Sequence, residues 1–481
     1  MPSLSEKVTG DASTGKSPPG PGRTSSDDID DNDDTTADEE TRTGSRQDDA
    51  VLDLEKNRDA HNGSRTDAAA AAAANVPDFG PAPDGGLRAW SVSIGASFVT
   101  FSVLGFSNSF GVFQEYYLTH QLRDKSADTV AWIGSCSAFF QFLAGAVSGP
   151  LFDRYGAWLL RPCMIACVFA VMMTSLCTEY YQFFLAQGVL LGFASGGMQF
   201  PAMAAVLQYF DKKRAAAMGV TIAGSSVGGV VFPIALSRML NNPGVAQHLG
   251  FGWSVRIVGF VMLVALTVAC LTVRPRLPPR RTQFFLFGAF RQRDFQCLVL
   301  SMFFLFMGMF LPLFFLPSYA VSVGVDPAFA SYLLAIVNAA STFGRIIPGI
   351  LADKLGRINV LVAGGLSNGV CILCMTRARG TAGLVVFAVA MGFVSGTIIS
   401  GMSAAVSVCV SDMRNVGTYM GMGMALASVA VLVGPPINGQ LLHHYGGYLQ
   451  TTIFSGVMCL VGGVVALAAK TGTEAGLLGR V

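Results

Sequence analysis

Charged side chains are scarce in this chain. Only 13% of its 481 residues are Asp, Glu, Lys or Arg, while 52% are hydrophobic and the mean hydropathy is +0.52. That poverty excludes an ordinary soluble globular domain, in which about a quarter of residues are charged. Histidine is rarer still, and His120, His248, His443 and His444 all lie in loops or at the ends of apolar runs. No imidazole, carboxylate or thiolate cluster has the spacing of a metal site or a nucleophile with its base, so no metal, cofactor or enzymatic chemistry is expected. The ten cysteines sit within or beside apolar runs and read as small core residues; Cys371 and Cys374 form a lone C-x-x-C without a second ligand pair. An apolar stretch is missing from residues 1–76, which argues against a secretory signal.

The charge that is present is unevenly placed. Residues 1–84 hold 19 acids against 8 Lys/Arg, and residues 85–481 hold 24 Lys/Arg against 11 acids. The first segment, rich in Ser, Thr, Gly, Pro and Asp, cannot bury enough apolar surface to offset its chain entropy and is expected to be a disordered acidic tail. Ser25 and Ser26 before Asp27 and Asp28 resemble an acid-directed phosphorylation context, with plain linker as the alternative reading.

After Trp90 apolar runs long enough to cross a bilayer recur, each about 20 residues. They predict twelve membrane helices over 90–113, 127–149, 158–177, 182–206, 214–237, 253–273, 296–322, 328–350, 358–376, 383–408, 415–438 and 449–469. With the N-terminus inside, the inner loops carry Arg154, Arg161, Lys212, Lys213, Arg214, Lys354, Arg357 and Arg414. The basic connector 274–295 and the C-terminal tail 471–481, with Lys470 just before it, add to the same side. The outer loops hold only Arg123, Lys125, Arg238, Arg377 and Arg379. This bias places both termini in the cytosol, with Arg377 and Arg379 as an outward exception.

An internal repeat organises these helices. Gly149-Pro-Leu-Phe-Asp153-Arg154-Tyr-Gly156 recurs 200 residues later as Gly349-Ile-Leu-Ala-Asp353-Lys354-Leu-Gly356. Gly192-Phe-Ala-Ser-Gly196 recurs as Gly392-Phe-Val-Ser-Gly396 at the same offset, and Met218-Gly219 with Pro233 recur as Met420-Gly421 with Pro435 at an offset of 202. The fold expected is therefore an all-α membrane protein of twelve transmembrane helices in two six-helix pseudo-repeats, 85–273 and 296–470, with a solute site between them. In the repeated loop the glycines permit close helix approach, and the aspartate can accept hydrogen bonds at a helix N-terminus and pair with a cation such as Arg357. A cytosolic gate is one reading; a tight polar turn is the other. Two copies at matched positions favour the gate.

Arg345 lies about 12 Å before Asp353 along a helix. A cation at that depth is costly and usually faces the interior. Asn338 and Ser341 share its helix face, so the trio could hold an anion; bracing of the gate or snorkelling to the surface is the alternative. Small-residue spacing at Gly188, Gly192 and Gly196, and at Gly219, Gly224, Gly228 and Gly229, predicts close helix packing. Pro233, Pro435 and Pro436 should bend their helices.

The Gly-x-x-x-Asp-[Arg/Lys]-x-Gly loops resemble the signature of the major facilitator superfamily. Within it, Pro83-Asp84-Gly85-Gly86-Leu87-Arg88-Ala89-Trp90, Tyr209-Phe210 leading to Arg214 and Gly219, and Gly434-Pro435-Pro436 resemble the monocarboxylate porter family. Asn108-Ser-Phe-Gly-Val-Phe113-Gln-Glu-Tyr-Tyr117 looks most like its fungal members. The resemblance implies alternating-access transport, and in animal members the arginine matching Arg345 binds the substrate carboxylate. Two positions differ: Ser341 stands where proton-coupled members carry an aspartate, and Asn108 where they carry a lysine.

The sequence thus leads to a secondary carrier of a small organic solute, probed at Arg345, Asn108, Asn338 and Ser341, in the cell membrane. The lipid bilayer and the solute are its implied partners, nucleic acid is not, and no cofactor is implied. Two alternatives stand beside it: efflux of a bulkier uncharged metabolite or vitamin, and a membrane sensor that binds solute without moving it.

Overall fold

The computed structural model describes residues 80–241, 243–279 and 284–471. The acidic tail up to residue 79, Arg280 and Arg281 of the connector, and the chain beyond 471 lie outside the described residues. Among those described there is no β-strand; helices follow one another with short turns. We label the crossing segments α1 (Gly86–Thr119), α2 (Ala127–Leu143 continued by Gly145–Tyr155), α3 (Leu160–Thr174), α4 (Tyr180–Tyr209), α5 (Arg214–Asn241), α6 (His248–Thr272) and α7 (Arg293–Ser322). The remainder are α8 (Pro327–Leu355), α9 (Arg357–Leu373), α10 (Gly380–Val406), α11 (Val416–Tyr445) and α12 (Tyr448–Thr471).

Among the described residues eleven continuous runs are long and apolar enough to cross a membrane. One of them, Thr129–Thr174, is 46 residues long and contains two of the predicted spans, because the chain reverses at Gly156 between α2 and α3. At φ +70° that residue sits in the left-handed region open to glycine, and Gly356 at φ +104° does the same between α8 and α9. The predicted helices are present with their ends displaced by a few residues. The predicted bends at Pro233 and Pro435–Pro436 leave α5 and α11 as continuous helices.

Two breaks are informative. The helix of α1 is interrupted at Asn108–Ser109, between Gly86–Ser107 and Phe110–Thr119. That of α7 is interrupted at Phe310, between Arg293–Met309 and Leu311–Ser322. Asn108 and Phe310 are 202 residues apart, within the 200–202 offset of the internal repeat, so both halves loosen the same helix at matched positions.

Packing relies on small residues rather than large ridges. A methyl built on Gly149 of α2 would lie 2.1 Å from the Gly417 carbonyl oxygen of α11, and one on Gly421 of α11 would lie 2.0 Å from the Gly145 carbonyl oxygen. The backbones of α2 and α11 therefore touch, although they belong to different halves. The predicted glycine ridge of α4 packs on α2 in the same way, with Gly192 and Gly196 against the Ser137 and Gln141 carbonyls. Arg256, absent from the inner and outer counts above, is part of α6 and is held by Ser175 at 3.1 Å and by the Trp253 ring at 5.2 Å.

Candidate functional site

The repeated loops meet the opposite half. Asp153, at the end of α2, is buried and accepts from the backbone N–H of Gly417 (3.1 Å) and from the N–H and hydroxyl of Thr418 (both 2.6 Å), in the first turn of α11. Asp353, at the end of α8, accepts from the N–H groups of Ala215 (2.9 Å) and Ala216 (2.8 Å), in the first turn of α5. Each carboxylate satisfies donors that a helix N-terminus leaves open and sits at the positive end of its dipole. Because the two are related by the repeat, the halves hold each other reciprocally: α2 of the first takes α11 of the second, and α8 of the second takes α5 of the first.

The other residues of the loops surround these bonds. Arg357 pairs with Asp353 at 3.8 Å, donates to Ser407 at 3.2 Å and reaches the Asp211 carbonyl. Arg214 pairs with Asp211 at 3.3 Å. Gly349 crosses α5, its would-be methyl 2.7 Å from the Ala215 carbonyl oxygen, and Gly156 and Gly356 make the turns that end α2 and α8. Arg154 and Lys354 are exposed, Arg154 beside the Tyr155 ring. Residues 80–84, assigned to the tail by sequence, are anchored here. Asp84 accepts from the N–H of Lys212 at 2.8 Å, and Arg276 donates to the carbonyls of Gly80 and Pro81.

Deeper in the membrane, the α8 face singled out by sequence is turned toward α5 across the boundary between halves. Asn338 accepts from Asn108 at 3.4 Å, Ser341 accepts from Ser226 at 3.3 Å, and Arg345 donates to the Ile222 carbonyl at 2.8 Å and to the Ser225 hydroxyl. The structure thus brings all four predicted residues into one polar seam. Asn108 is exposed, whereas Asn338, Ser341 and Arg345 are buried, and the Nε of Arg345 lies buried with no acceptor. The four residues singled out in the sequence belong to α1 and α8, and none of them to α5. The pair Ser225–Ser226, polar residues inside a glycine-rich apolar run, was the available signal.

A second uncharged cluster went unread. Gln141 of α2 donates to Gln199 of α4 at 2.6 Å and accepts from Ser107 of α1 at 3.2 Å, all within the first half. Beside it, Phe142 of α2 meets Phe306 of α7 across the halves at 5.2 Å between ring centroids, and Phe306 stacks on Phe310 at 5.8 Å. Glutamines inside apolar runs, and the repeat register that carries Asn108 onto Phe310, were the clues. Amide and hydroxyl groups with aromatic faces can hold a largely apolar molecule with a few polar edges.

At the opposite end of α2 from Asp153, about 30 Å away along the helix, a cavity of 610 Å³ opens between the halves. It is walled by Trp132 of α2 and by Leu432, Val433, Pro436 and Gln440 of α11, with His444 at its end. The groove between α2 and α11 is largely apolar and lies on the face opposite the clasps.

The Major Facilitator Superfamily profile matches residues 94–321 and 298–477. The chain is 50% identical over 395 residues to the aspyridones efflux protein of Emericella nidulans, covering 82% of this chain and 80% of that protein. It is 43% identical over 403 residues to the agnestins efflux protein of Paecilomyces divaricatus, covering 81% and 89%. Among solved structures, the human organic anion transporter MFSD10 superimposes with a TM-score of 0.62 at 15% identity, covering 79% of this chain and 100% of that one. FucP in its outward conformation does so with the same score and identity, covering 79% and 99%; at that identity the likeness concerns the fold. Two clasped six-helix halves, the repeated aspartate loops and the profile match over most of the chain lead to one statement: this chain belongs to the Major Facilitator Superfamily.

Proposed function

We propose that the protein is an efflux carrier that moves a small organic metabolite out of the cell by alternating access. The observation that carries the reading is the reciprocal pair of aspartate clasps. Bonds between helix ends of different halves close one face here, and must break for that face to open. The direction is taken from the relatives, two of which, 50% and 43% identical, are named as efflux proteins. The mostly uncharged interior, with its Gln141–Gln199 pair and Phe142, Phe306 and Phe310, suits a molecule bulkier and less charged than a monocarboxylate. We place the carrier in the plasma membrane with both termini cytosolic, following the loop charges.

The test is vesicular. Inverted plasma-membrane vesicles that contain the carrier should take up an aspyridone or agnestin, the solutes in the relatives' names, offered outside, and vesicles with Asp153→Asn plus Asp353→Asn should not. Right-side-out vesicles that import the same compound with no export from loaded ones would overturn the direction. Binding without movement in either orientation would make the protein a sensor.

A second reading, recognition of a carboxylate by Arg345, is favoured by the buried Nε that has no acceptor and by the resemblance to the monocarboxylate porters. The same side chain braces α8 against α5 in this state. The substitutions separate the roles. For an anion contact, Arg345→Ala abolishes binding of the charged substrate, and Arg345→Lys restores only part of it because the planar fork is lost. For a brace, both variants lower thermal stability while substrate affinity holds.

A further inference from the structure

The two outward arginines noted in the sequence have a structural setting of their own. Arg377 and Arg379 occupy the turn between α9 and α10, on the face opposite the aspartate clasps, and both are exposed. Neither side chain has an ion pair or hydrogen bond among the described residues. The turn that carries them is built rather than loose. Arg377 and Ala378 close a 3-10 turn through their N–H groups, to Cys374 and Met375, and the Ala378 carbonyl accepts from the Tyr319 hydroxyl of α7 at 3.1 Å.

Beside this turn lies a cavity of 390 Å³ lined by Tyr319, Val323, Thr376, Arg379 and Tyr448. The Tyr319 and Tyr448 rings meet edge to face at 5.2 Å and form its aromatic wall. Thr376 and Arg379 supply a hydroxyl and a guanidinium. All five residues belong to the second half, from α7 and the residue that follows it, the α9–α10 turn and α12, so the cavity shares no residue with the groove between α2 and α11. It stands at the level of the helix ends, where tyrosines meet lipid headgroups. Two exposed arginines without an ion pair or hydrogen bond among the described residues, on the face that the loop charges otherwise keep poor in Lys and Arg, leave this turn open to an external negative group.

We propose that this cavity binds the phosphate headgroup of an anionic phospholipid. Arg379 and Thr376 donate to the phosphate oxygens, and the Tyr319–Tyr448 wall covers the glycerol portion. Arg377, outside the cavity, adds only to the local positive potential.

Thermal unfolding of the full-length carrier in detergent reads the site through ligand stabilisation. The probes are short-chain phosphatidic acid, phosphatidylcholine of the same chain length, and inorganic phosphate. Phosphatidic acid should raise the midpoint saturably and phosphatidylcholine should not. Arg379→Ala should weaken the apparent phosphatidic acid affinity by about tenfold or more, the loss of a charged hydrogen bond. Thr376→Val should weaken it less, and Arg377→Ala should leave it nearly unchanged. The proposal is overturned if phosphatidylcholine stabilises equally, or if Arg379→Ala and Thr376→Val both bind like the parent. Equal stabilisation by inorganic phosphate that is lost in Arg379→Ala would assign the cavity to a free anion and sink the lipid reading.

Discussion

At the scale of single residues, the two aspartates carry the most consequence. Asp153 accepts three hydrogen bonds at the start of α11, and Asp353 accepts two at the start of α5 plus the Arg357 pair. Hydrogen bonds to charged groups contribute about 1.5–3 kcal/mol each. Replacement by asparagine keeps one acceptor oxygen but removes the charge that the helix N-terminus favours. Asp153→Asn is therefore expected to destabilise the clasped state by about 2 kcal/mol or more and to speed amide exchange at Gly417 and Thr418. Asp353→Asn should do the same at Ala215 and Ala216. Exchange at those amides that does not change would show that the carboxylates are spectators. The residue types were legible in the sequence, and so was the idea that each aspartate caps a helix. Which helix it caps was not legible, since Thr418 lies 265 residues from Asp153.

At the scale of elements, the crossing of α2 with α11 is limited by backbone contact. A side chain at position 149 has no room while Gly417 is opposite it, with 2.1 Å to the carbonyl oxygen where ordinary contact needs well over 3 Å. Gly149→Ala should force the helices apart at a cost of about 1–3 kcal/mol, shift the carrier away from the clasped state, and lower its thermal midpoint. Gly439→Ala serves as a control, because no atom lies within 4 Å of its would-be methyl. If both variants melt like the parent, the close approach does not hold the halves. The α5–α8 crossing makes the same kind of contact, with 2.4 Å from a methyl on Gly219 to the Arg345 carbonyl oxygen, and adds a polar seam. Along it Ser226 and Ser225 of α5 meet Ser341 and Arg345 of α8, and Asn108 of α1 meets Asn338, so hydrogen bonds help to fix its register.

For the molecule as a whole, two expectations concern what drives it and what it can lose. Proton coupling needs a titrating group in the path. Of the acids beyond Trp90, Glu115 is exposed in the second piece of α1, seven residues past Asn108, while Asp153 and Asp353 are engaged in the clasps. Purified carrier in liposomes should move substrate down its gradient, and an imposed proton gradient should not drive accumulation. Accumulation that Glu115→Gln or Asp128→Asn abolishes would instead make that residue the coupling group; the side chain of Asp128 lies outside the described ones. Removal of residues 1–76 should leave folding and transport intact, because the segment has neither apolar content nor amphipathic periodicity and its loss spares the contacts of Gly80 and Asp84. A truncated carrier that reaches the membrane and fails to transport would give the tail a role.

The sequence by itself determined the solvent, the helices and the duplication. Long apolar runs have nowhere to go but a bilayer, and two matched loops 200 residues apart can arise only from a repeat. It also supplied the chemistry of the polar residues, because a charge or amide inside an apolar run is too costly to be idle. The tertiary structure decided how those residues face one another. It turned Arg345, Ser341 and Asn338 toward α5, joined Gln141 to Gln199, broke α1 and α7 at matched positions, and exchanged the aspartates between halves. The physical reason is that a membrane helix is apolar on its lipid side and largely apolar on its protein side. Its hydropathy marks an inner face weakly, as the stripe of Asn338, Ser341 and Arg345 does on α8, and never says which helix that face meets, so the choice falls to backbone contact at glycines and to hydrogen bonds between segments hundreds of residues apart.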